Sequence, residues 1–588
     1  MRRRMAFVCA VLAMVATTIS GTTAFAGNGG FTTARPSMLT PMKDGVTVTP
    51  LLTVGDVLPS GFRFESIPDG MSLRTRGKGR VDLYVNHETS KVPFPYTTAN
   101  PMASNGQSDF DNSQVSHLIL NQNSAGVLSG SFAIPSSGGF QRFCSNFLAT
   151  AKEGFSRDIL FTNEESPDYV FRQEDSWPPP VGDPNEEENG VTIAYDIKSR
   201  QYHTVYGMGR FNHENNVAVP GYDDLVVLSG DDTFTSGTLT LPSGPNPTTS
   251  APAQSQLYSY IASDTDALLN DEGDLWAFVS DTPGVTNYYN FAPGSTQSIT
   301  GHFIQVPKNI ATGKDTDGSE LMSSDLGYPA PDGGWQTDLR TSPAVPIDGP
   351  QWVLEYWSHL NHVFQFVRVE DIAYDKRPGM GNVVYFADTG RATLPAMPPL
   401  FGPGLSTNGR IWKMVLDPDD PTQVDSLSIL LDGDDSPVKT LGEIHQPDNV
   451  ETTSTGLLVT EDPGGNNQFP ADSVDPNATT ARLWYVPFSS PGSAQVVAKI
   501  DQSADAGPTD VGPLPTTDPS IGAWGTWETT GIVDASAAFG TGAYLINIQA
   551  HTLWIQTAPG ADNFAPAGPD FTYKREGGQL LLIRIPGI

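Results

Sequence analysis

One cysteine of the chain, Cys144, precedes a strand-like run that ends in two adjacent acids, Glu164 and Glu165. The other cysteine, Cys9, lies in an N-terminal stretch with the features of an export leader, which leaves Cys144 no partner for an intramolecular disulfide. An unpaired thiol can be a small buried apolar group, a nucleophile or a metal ligand. The carboxylates that follow Cys144 favour the metal ligand among these three.

The same arrangement recurs along the chain, with a polar group upstream of an apolar run and acids or a histidine at its end. The pairs are Cys144 with Glu164 and Glu165, His213 and Glu214 with Asp231 and Asp232, Glu370 and Asp371 with Asp388, Asp448 and Asn449 with Glu461 and Asp462, and Glu528 with His551. If these groups converge, cations must neutralise them, because neighbouring carboxylates raise one another's pKa. Carboxylate oxygens suit calcium, whereas a thiolate and histidines suit a transition metal.

The elements that must position these groups are six apolar runs of β-strand type. They span 81–88, 157–165, 224–232, 382–389, 457–462 and 544–551, and amphipathic runs follow at 192–196, 256–260, 410–415, 482–486 and 579–585. Inner strand, turn and outer strand repeated around an axis is the layout of a β-propeller. The sequence therefore predicts an all-β, six-bladed β-propeller with long inter-strand insertions at 166–188, 236–254 and 282–350. Two unrelated β-domains are the alternative.

The N-terminus predicts export. Residues 1–26 hold three arginines, an apolar run at 6–16 and a small-x-small end, Ala24-Phe25-Ala26, as a cleavable signal peptide does. We divide the chain into this signal peptide, an N-terminal segment at 27–59 and a propeller domain at 60–588. The expected location is secreted, either periplasmic or extracellular, and the sequence leaves open whether the Sec or the twin-arginine route is used.

The negative net charge of the chain limits the classes of partner that it can bind. The chain has 66 acidic and 33 basic residues, a formal net charge of −33, and three of the basic residues lie in the leader. Nucleic acid and anionic membrane are poor partners for such a surface. No later apolar stretch approaches the length of a membrane span. Solubility outside the cell accounts for part of this acidity, and cation binding is the sharper interpretation.

Several segments together resemble the PhoX-type alkaline phosphatases. They are 85–88, Cys144 with the strand into Glu164-Glu165, 209–214, 230–232, 369–371, 446–450 and 529–551, and they occur in family order across most of residues 60–560. The resemblance implies an exported six-bladed propeller that hydrolyses phosphate esters with an iron–calcium cluster (Ca²⁺ and Fe³⁺) at the channel mouth. It also implies that Cys144 is an iron ligand.

The sequence departs from the family pattern between the cysteine and the paired acids. Residues 146–154 replace the family's Gly-Gly and Trp-Gly-Thr-Trp elements, and Thr162-Asn163 stand where a second cysteine is usual. These changes lie between the expected ligands, so they bear on substrate fit more than on metal binding. The resemblance is therefore to a divergent member.

The resulting hypothesis is metal-assisted hydrolysis of a small phosphorylated substrate by a monomer, with a metal-bound oxo or hydroxide as nucleophile. The predicted metal ligands are Glu88, Cys144, Glu164, Glu165, Glu214, Asp231, Glu370, Asp448 and Glu461. Arg210 is the candidate for holding a phosphate oxygen, with a turn-stabilising role as its alternative. His87 and His213 are candidate ligands or proton donors, with a hydrogen-bonding role behind the ligands as theirs.

Three other functions remain open. A calcium-dependent propeller lactonase or esterase would have no use for Cys144. A non-catalytic, calcium-stabilised propeller would bind a partner or the cell envelope. A phosphodiesterase or phytase-type hydrolase would use the same scaffold on other phosphate esters.

Overall fold

The structure is a computed structural model that describes residues 29–65, 67–88, 113–172, 181–183, 185–233, 254–338, 340–390, 408–434, 441–463, 479–504, 527–555 and 573–588. At 503, 551–555 and 573–576 it describes the backbone alone. The predicted signal peptide and nearly all of the predicted insertion at 236–254 lie outside these residues, as does the side chain of His551.

Antiparallel β-strands dominate the described part of the chain. The strands of its first half are β1 (Leu39–Pro41), β2 (Thr47–Thr53), β3 (Pro68–Gly77), β4 (Arg80–His87), β5 (Gln114–Asn121), β6 (Val127–Ile134), β7 (Phe143–Ala149), β8 (Ile159–Glu164), β9 (Tyr169–Val170), β10 (Glu187–Glu188), β11 (Thr192–Asp196), β12 (Gln201–Val205), β13 (His213–Val219), β14 (Leu225–Asp231), β15 (Leu257–Ala262), β16 (Asp274–Ser280) and β17 (Ser298–Gln305).

The second half continues in the same way. Its strands are β18 (Thr337–Asp338), β19 (Val345–Pro346), β20 (Val369–Tyr374), β21 (Val383–Asp388), β22 (Arg410–Leu416), β23 (Gln423–Asp432), β24 (Pro447–Thr452), β25 (Gly456–Glu461), β26 (Arg482–Pro487), β27 (Gln495–Ile500), β28 (Glu528–Asp534), β29 (Ala543–Ile555) and β30 (Tyr573–Arg584).

The α-helices of the described residues are short and lie between strands. They are α1 (Thr265–Leu269), α2 (Lys308–Thr312), α3 (Pro350–Leu360) and α4 (Ser536–Phe539). Helix α3 begins with a proline, which suits a first helical position because the N–H it lacks would have no partner there. Trp352 of α3 packs edge-on against Trp335, and His359 lies 2.8 Å from Glu355 one turn earlier. No helix in the described ranges is long and apolar enough to cross a membrane.

The sheets are built mainly from strands that pair with their neighbours in the sequence. One sheet is β3-β4-β5-β6, a second is β7-β8-β11-β12, and a third is β28-β29-β30 with β2 on its outer edge. A fourth is β24-β25-β26-β27 with β1 on its outer edge. The second strands β8, β14, β21 and β25 are buried at every residue, which explains their near-continuous apolar sequence. The fold is all-β with a propeller-like arrangement.

The predicted number of separate blades is wrong. Four sheets of four or five strands stand as separate blades, and the remaining large sheet is continuous over nine strands, from β13 through β17 and β23 to β20. Strand β17 joins its two halves, because it pairs with β16 on one edge and with β23 on the other. This strand comes from the long excursion at 282–350, which the sequence pattern had suggested to be an insertion outside the sheets.

The first strands of the strand groups meet around a common axis. In the described residues β3 contacts β7, β7 contacts β13, β13 contacts β20, β20 contacts β24, β24 contacts β28, and β28 contacts β3 again. Each of these strands forms a hairpin with the strand that follows it. We call these β3/β4, β7/β8, β13/β14, β20/β21, β24/β25 and β28/β29 pairs the inner hairpins.

The N-terminal segment belongs to the sheets. Strand β1 pairs with β27, with Leu39 opposite Ile500, and β2 pairs with β30, with Thr47 opposite Arg584. The boundary predicted at residue 60 therefore does not separate this segment from the propeller-like domain. Both ends of the described chain contribute edge or closing strands.

Candidate metal centre at the inner hairpins

Every inner hairpin carries a β-bulge near the start of its first strand. In β20/β21, Val369 pairs with Asp388 and Ile372 with Phe386, so three steps along one strand face two along the other. The same extra residue lies between Pro68 and Met71, Phe143 and Asn146, His213 and Asn216, Pro447 and Val450, and Thr530 and Ile532. A bulge bends its strand and redirects a side chain, and such bulges are common beside functional sites.

The first bulge residue in five of the six hairpins is a metal-ligand type. These residues are Asp69, Cys144, Glu214, Glu370 and Asp448. The sixth hairpin has Thr530 at the corresponding position. A repeated backbone feature, rather than local sequence similarity, thus brings ligand groups from separate hairpins to one level of the axis.

The ligand atoms form three overlapping groups. Asp69, Glu88 and Cys144 form one, Cys144, Glu165 and Glu214 the second, and Glu214, Glu370 and Asp448 the third. Within each group the ligand atoms all lie within 4.8 Å of one another, and all seven residues are buried. Because Cys144 and Glu214 are each shared by two groups, the groups form one continuous centre. Six of these seven residues were predicted from the sequence.

The carboxylates of the centre are poorly compensated. Burial raises the pKa of Glu214 well above its usual value, and the nearby charges of Glu370 and Glu165 raise it further. Burial likewise raises the pKa of Asp448 well above normal, with Glu370 the largest charge contribution. Carboxyl groups in this arrangement resist ionisation unless positive charge arrives, so the centre is electrostatically prepared for cations.

Cys144 is part of the same network. Its Sγ donates a hydrogen bond to Oε2 of Glu165 over 2.7 Å. Burial raises the pKa of the thiol well above normal, and the charges of Glu165 and Glu214 add to the shift. A bare Cys144 therefore keeps its proton, and this location does not produce a free reactive thiolate.

The guanidinium of Arg368 faces the centre, and this residue is not among those predicted from the sequence. Its Nε and Nη2 donate to the two carboxylate oxygens of Asp232 at 2.8 and 2.7 Å. Nη2 also lies 2.8 Å from Glu370, and Nη1 lies 3.6 Å from Asp462. The residue immediately precedes β20, so the bulge that presents Glu370 also places this guanidinium.

Two predicted ligands, Glu164 and Glu461, are not brought into the three groups. Glu164 is fully buried, pairs with Arg172 and accepts the N–H of Gln141 at 3.1 Å. Glu461 accepts from Nε and Nη2 of Arg482 at 2.8 and 2.7 Å and from the Trp484 indole at 2.8 Å. Both carboxylates are thus paired with arginines outside the three ligand groups, Glu461 with Arg482 of the same sheet and Glu164 with Arg172, which follows β9.

Asp231 also lies outside the three groups. It is buried, and Oδ1 accepts the N–H of Thr233 over 2.9 Å. Burial raises its pKa well above normal, and the charge of Glu355 on α3 contributes. The predicted ligand thus faces the α3 side of its sheet, and its neighbour Asp232 is the one that reaches Arg368.

Arg210, predicted to hold a phosphate oxygen, is a structural residue here. Its side chain is fully buried, its Nη2 donates to the carbonyl oxygens of Glu188 and Asn189, and it forms a 3.0 Å ion pair with Glu320. These contacts tie β10 to the excursion between β17 and α3. These contacts match the structural alternative given for Arg210, and Arg368, not Arg210, is the arginine that contacts a member of the ligand groups, Glu370.

The two histidines likewise point away from the ligand groups. Nε2 of His213 lies 3.1 Å from the Gly209 carbonyl, and its ring stacks on Phe211 at 3.6 Å between centroids. Burial lowers the pKa of His213 to about 3, so the ring is neutral at physiological pH. Nε2 of His87 lies 2.7 Å from the Ser116 hydroxyl, and its ring meets the Phe64 ring edge-on.

The sequence contained a signal for the missed ligand-type residue Asp69. The dipeptide Asp69-Gly70 precedes the run at 81–88 as Cys144-Ser145 precedes the run into Glu165. The upstream position was therefore visible in the first repeat as well. Arg368 had a weaker signal, since only its place two residues before Glu370 marks it.

Comparisons with known proteins add little. No family model matches the chain, and no curated protein matches it. Among solved structures, a K499G mutant of NanB sialidase from Streptococcus pneumoniae is 9% identical, over 88% of this chain and 68% of that one, with a TM-score of 0.33. The hemagglutinin-neuraminidase ectodomain of parainfluenza virus 5 is 9% identical over 91% and 86%, with a TM-score of 0.28. An acylaminoacyl peptidase from Pyrococcus horikoshii is 9% identical over 74% and 46%, with a TM-score of 0.24. Likenesses this low carry no argument.

Proposed function

We propose that the chain is an exported, metal-dependent hydrolase of phosphate esters, whose cations are held by the three overlapping ligand groups. The observation that carries the proposal is the convergence of one thiol and six buried carboxylates from five inner hairpins. The resemblance of the sequence to PhoX-type alkaline phosphatases supplies the reaction class and the expectation of calcium and iron.

The donor set fits both metals. Asp69, Glu88, Glu214, Glu370 and Asp448 offer carboxylate oxygens, which suit calcium, whereas Cys144 offers a soft donor that suits iron. Buried carboxyl groups with raised pKa values gain most from cations, since the ionised form is otherwise unfavourable. When bound, such cations supply charge stabilisation for phosphoryl oxygens and make water more acidic.

The protein contributes orientation and a second positive charge. Arg368 presents a planar guanidinium, which matches two phosphoryl oxygens at once. In the described contacts Asp232 holds it in this bidentate manner, so Asp232 fixes the direction in which the guanidinium faces. Burial of the ligands limits water and strengthens every charge interaction at the centre.

A non-catalytic role for the cations is the second candidate. All seven ligand-type side chains are buried, and a buried cation that links five hairpins would stabilise the ring without turning over a substrate. Such a protein would bind the same metals and show no hydrolysis. Activity therefore separates the two functions, and metal content does not.

Elemental analysis of the purified native protein is the first test. We expect both calcium and iron, and we expect the Cys144→Ser variant to lose iron while it retains calcium. Exposed Glu272 offers a control, since Glu272→Gln leaves the donor set intact. Absence of iron together with ready alkylation of Cys144 in the folded protein would refute the mixed-metal centre.

Hydrolysis assays are the second test. We expect release of phosphate from a chromogenic phosphomonoester, with loss of activity in Cys144→Ser and after chelation. Arg368→Met should reduce kcat/KM by about 100-fold or more, in the range measured when a charge-stabilising donor is removed. Turnover of diesters or phytate alone would favour the phosphodiesterase or phytase-type alternative, and turnover of lactones by protein with calcium alone would favour the lactonase.

A further inference from the structure

A hydrogen bond between two side chains, Asn449 and Ser145, spans the axis at the level of the bulges. Asn449 and Ser145 are the second bulge residues of the β24/β25 and β7/β8 hairpins, which stand opposite each other in the cycle of inner strands. Nevertheless Nδ2 of Asn449 donates to Oγ of Ser145 over 2.8 Å. The two side chains therefore meet across the ring, next to the first bulge residues that form the ligand groups.

The direction of this hydrogen bond is fixed by the backbone. The N–H of Gly531, in the β28/β29 hairpin, donates to Oδ1 of Asn449. A backbone N–H can act only as a donor, so the amide oxygen must face Gly531 and the amide nitrogen must face Ser145. No rotation of the Asn449 amide satisfies both neighbours in the opposite sense.

The direction of the Asn449–Ser145 hydrogen bond determines how Ser145 contacts the ligand Glu214. Because Ser145 accepts from Asn449, its single hydroxyl proton is available for the other neighbour, Oε1 of Glu214, at 2.7 Å. Glu214 is the carboxylate shared by two ligand groups. The hydroxyl holds one oxygen of Glu214 as an acceptor and so orients the carboxylate toward its partners.

The other end of the Asn449 amide contacts a second hydroxyl. Oδ1 of Asn449 lies 2.9 Å from the hydroxyl of Thr530, the residue that replaces an acid at the sixth first-bulge position. The same hydroxyl contacts Oδ1 of Asp69, a member of the first ligand group. Because a hydroxyl has one proton and both of these neighbours are acceptors, Asn449 and Asp69 compete for it, and only the Ser145 side forms a directed route from Asn449 to a ligand.

We propose that Asn449 is a positioning residue of the metal centre, which fixes Glu214 through Ser145. The inference rests on the proposed cation site, and it extends that site to groups that do not touch the metal. Partners behind a metal ligand orient it, and their loss commonly weakens metal binding by about 10–100-fold.

The test is calcium affinity, measured by calorimetry on chelator-treated protein. Asn449→Leu and Ser145→Ala each cut the route to Glu214, whereas Thr530→Val removes the other hydroxyl beside Asn449 without a large change of shape. We expect Asn449→Leu to weaken calcium binding by at least about 10-fold. Asn408→Leu is the matched control, because Asn408 is also buried and donates from its amide, but to the Gly433 carbonyl, at 2.6 Å.

Coupling distinguishes positioning from general destabilisation. In a Ser145→Ala background, Asn449→Leu should cause less than about 3-fold further loss of affinity, because the route to Glu214 is already cut. Full additivity, or equal weakening by Asn408→Leu, would overturn the inference. If the wild type binds calcium and Asn449→Leu binds it equally well, the positioning role fails and the proposed function stands. If the wild type binds no cation, both fail.

Discussion

Adjacent acids at the ends of the inner hairpins have opposite surroundings. Glu461 is enclosed by Arg482, the Trp484 indole and the N–H of His445, whereas the next residue, Asp462, lies 3.6 Å from Arg368 and beside Glu528. Glu164 is likewise paired with Arg172, whereas Glu165 reaches the Cys144 thiol. In each pair, the first carboxylate forms an ion pair with an arginine away from the axis, and the second faces the groups at the axis.

The alternation of side chains along a strand explains this contrast. Successive residues of a strand point to opposite faces, so two neighbouring carboxylates cannot share one environment. The sheet-facing acid gains a guanidinium, which comes from the next strand for Glu461 and from the segment after β9 for Glu164, and it is part of the folded framework. The axis-facing acid meets other acids, and its compensation comes from nearby arginines, Arg368 and Arg142, or from bound cations.

The largest expected effect on the free energy of unfolding comes from removing a sheet-facing carboxylate. In Glu461→Gln the charge of Arg482 remains buried without its carboxylate, which we expect to lower the free energy of unfolding by about 3–5 kcal/mol. Urea unfolding measures this loss, and Glu272→Gln at an exposed position should change stability by less than about 0.5 kcal/mol. A loss below about 1 kcal/mol would show that Glu461 is not part of the framework.

Asp388, a buried acid that accepts backbone N–H groups, should make the free energy of unfolding depend on pH. Asp388 accepts the N–H groups of Val367 and Arg368 at 3.2 and 2.9 Å, yet burial raises its pKa from 3.8 to about 6. The folded state therefore favours the protonated form of Asp388. Its contribution to the free energy of unfolding is fully present below about pH 4 and is lost as pH rises through about 6. We expect a loss of about 3 kcal/mol over that window, from the linkage between pKa and stability.

Measurement of this effect requires a difference between two proteins. Asp388→Asn cannot titrate at this position, whereas every other carboxyl is common to both chains. The unfolding free energy of the wild type should fall relative to that of the variant between pH 4 and 6, and the gap should be constant above pH 7. Parallel profiles across the whole range would contradict the assignment to Asp388.

Cation removal tests the axis-facing side directly. A ligand that binds only the folded state at 100 times its Kd adds about 2.7 kcal/mol of stability, and chelation should remove that amount. Thermal unfolding with calcium and with chelator measures the shift, and magnesium at the same concentration controls for ionic strength. An unchanged Tm would show that the axis acids are not compensated by calcium.

The smallest expected effect has the opposite sign to the first. Glu214→Gln replaces a buried carboxyl, whose raised pKa makes its ionisation unfavourable in the metal-free fold, by a neutral amide, so in chelator at neutral pH we expect the variant to be more stable than the wild type by about 1–2 kcal/mol. With calcium present the order should reverse, since the variant lacks a shared ligand. Denaturant unfolding under both conditions provides the comparison, and a destabilised variant in chelator would contradict the charge argument.

The sequence predicted the convergence of the acids better than the face on which each acid lies. The repeat of an upstream group before an apolar run located Cys144, Glu214, Glu370 and Asp448, because the bulge that presents them recurs at the same place. It could not separate Glu164 from Glu165, since both end the same run and a shift of one residue exchanges the faces.

The parts of the fold that escaped prediction depend on long-range pairing. Strand β17 lies in the predicted inter-strand insertion at 282–350, and its pairing with β23 joins two groups of strands that are far apart in the sequence. Arg210 and Arg368 are equally plausible anion-binding residues from local sequence alone. Only the packing of the excursion against β10 shows that Arg210 is committed to the framework.

The pairing of β2 with β30 sets an order of assembly. Strand β2 can pair only once β30 has been synthesised, and pairing between strands so distant in the sequence is intrinsically slow. The ligand-type residues themselves extend from Asp69 to Asp448, so no translation product that stops before Asp448 holds the complete donor set. Metal binding by the complete centre therefore follows the synthesis of β24, and a chain truncated before it lacks a ligand.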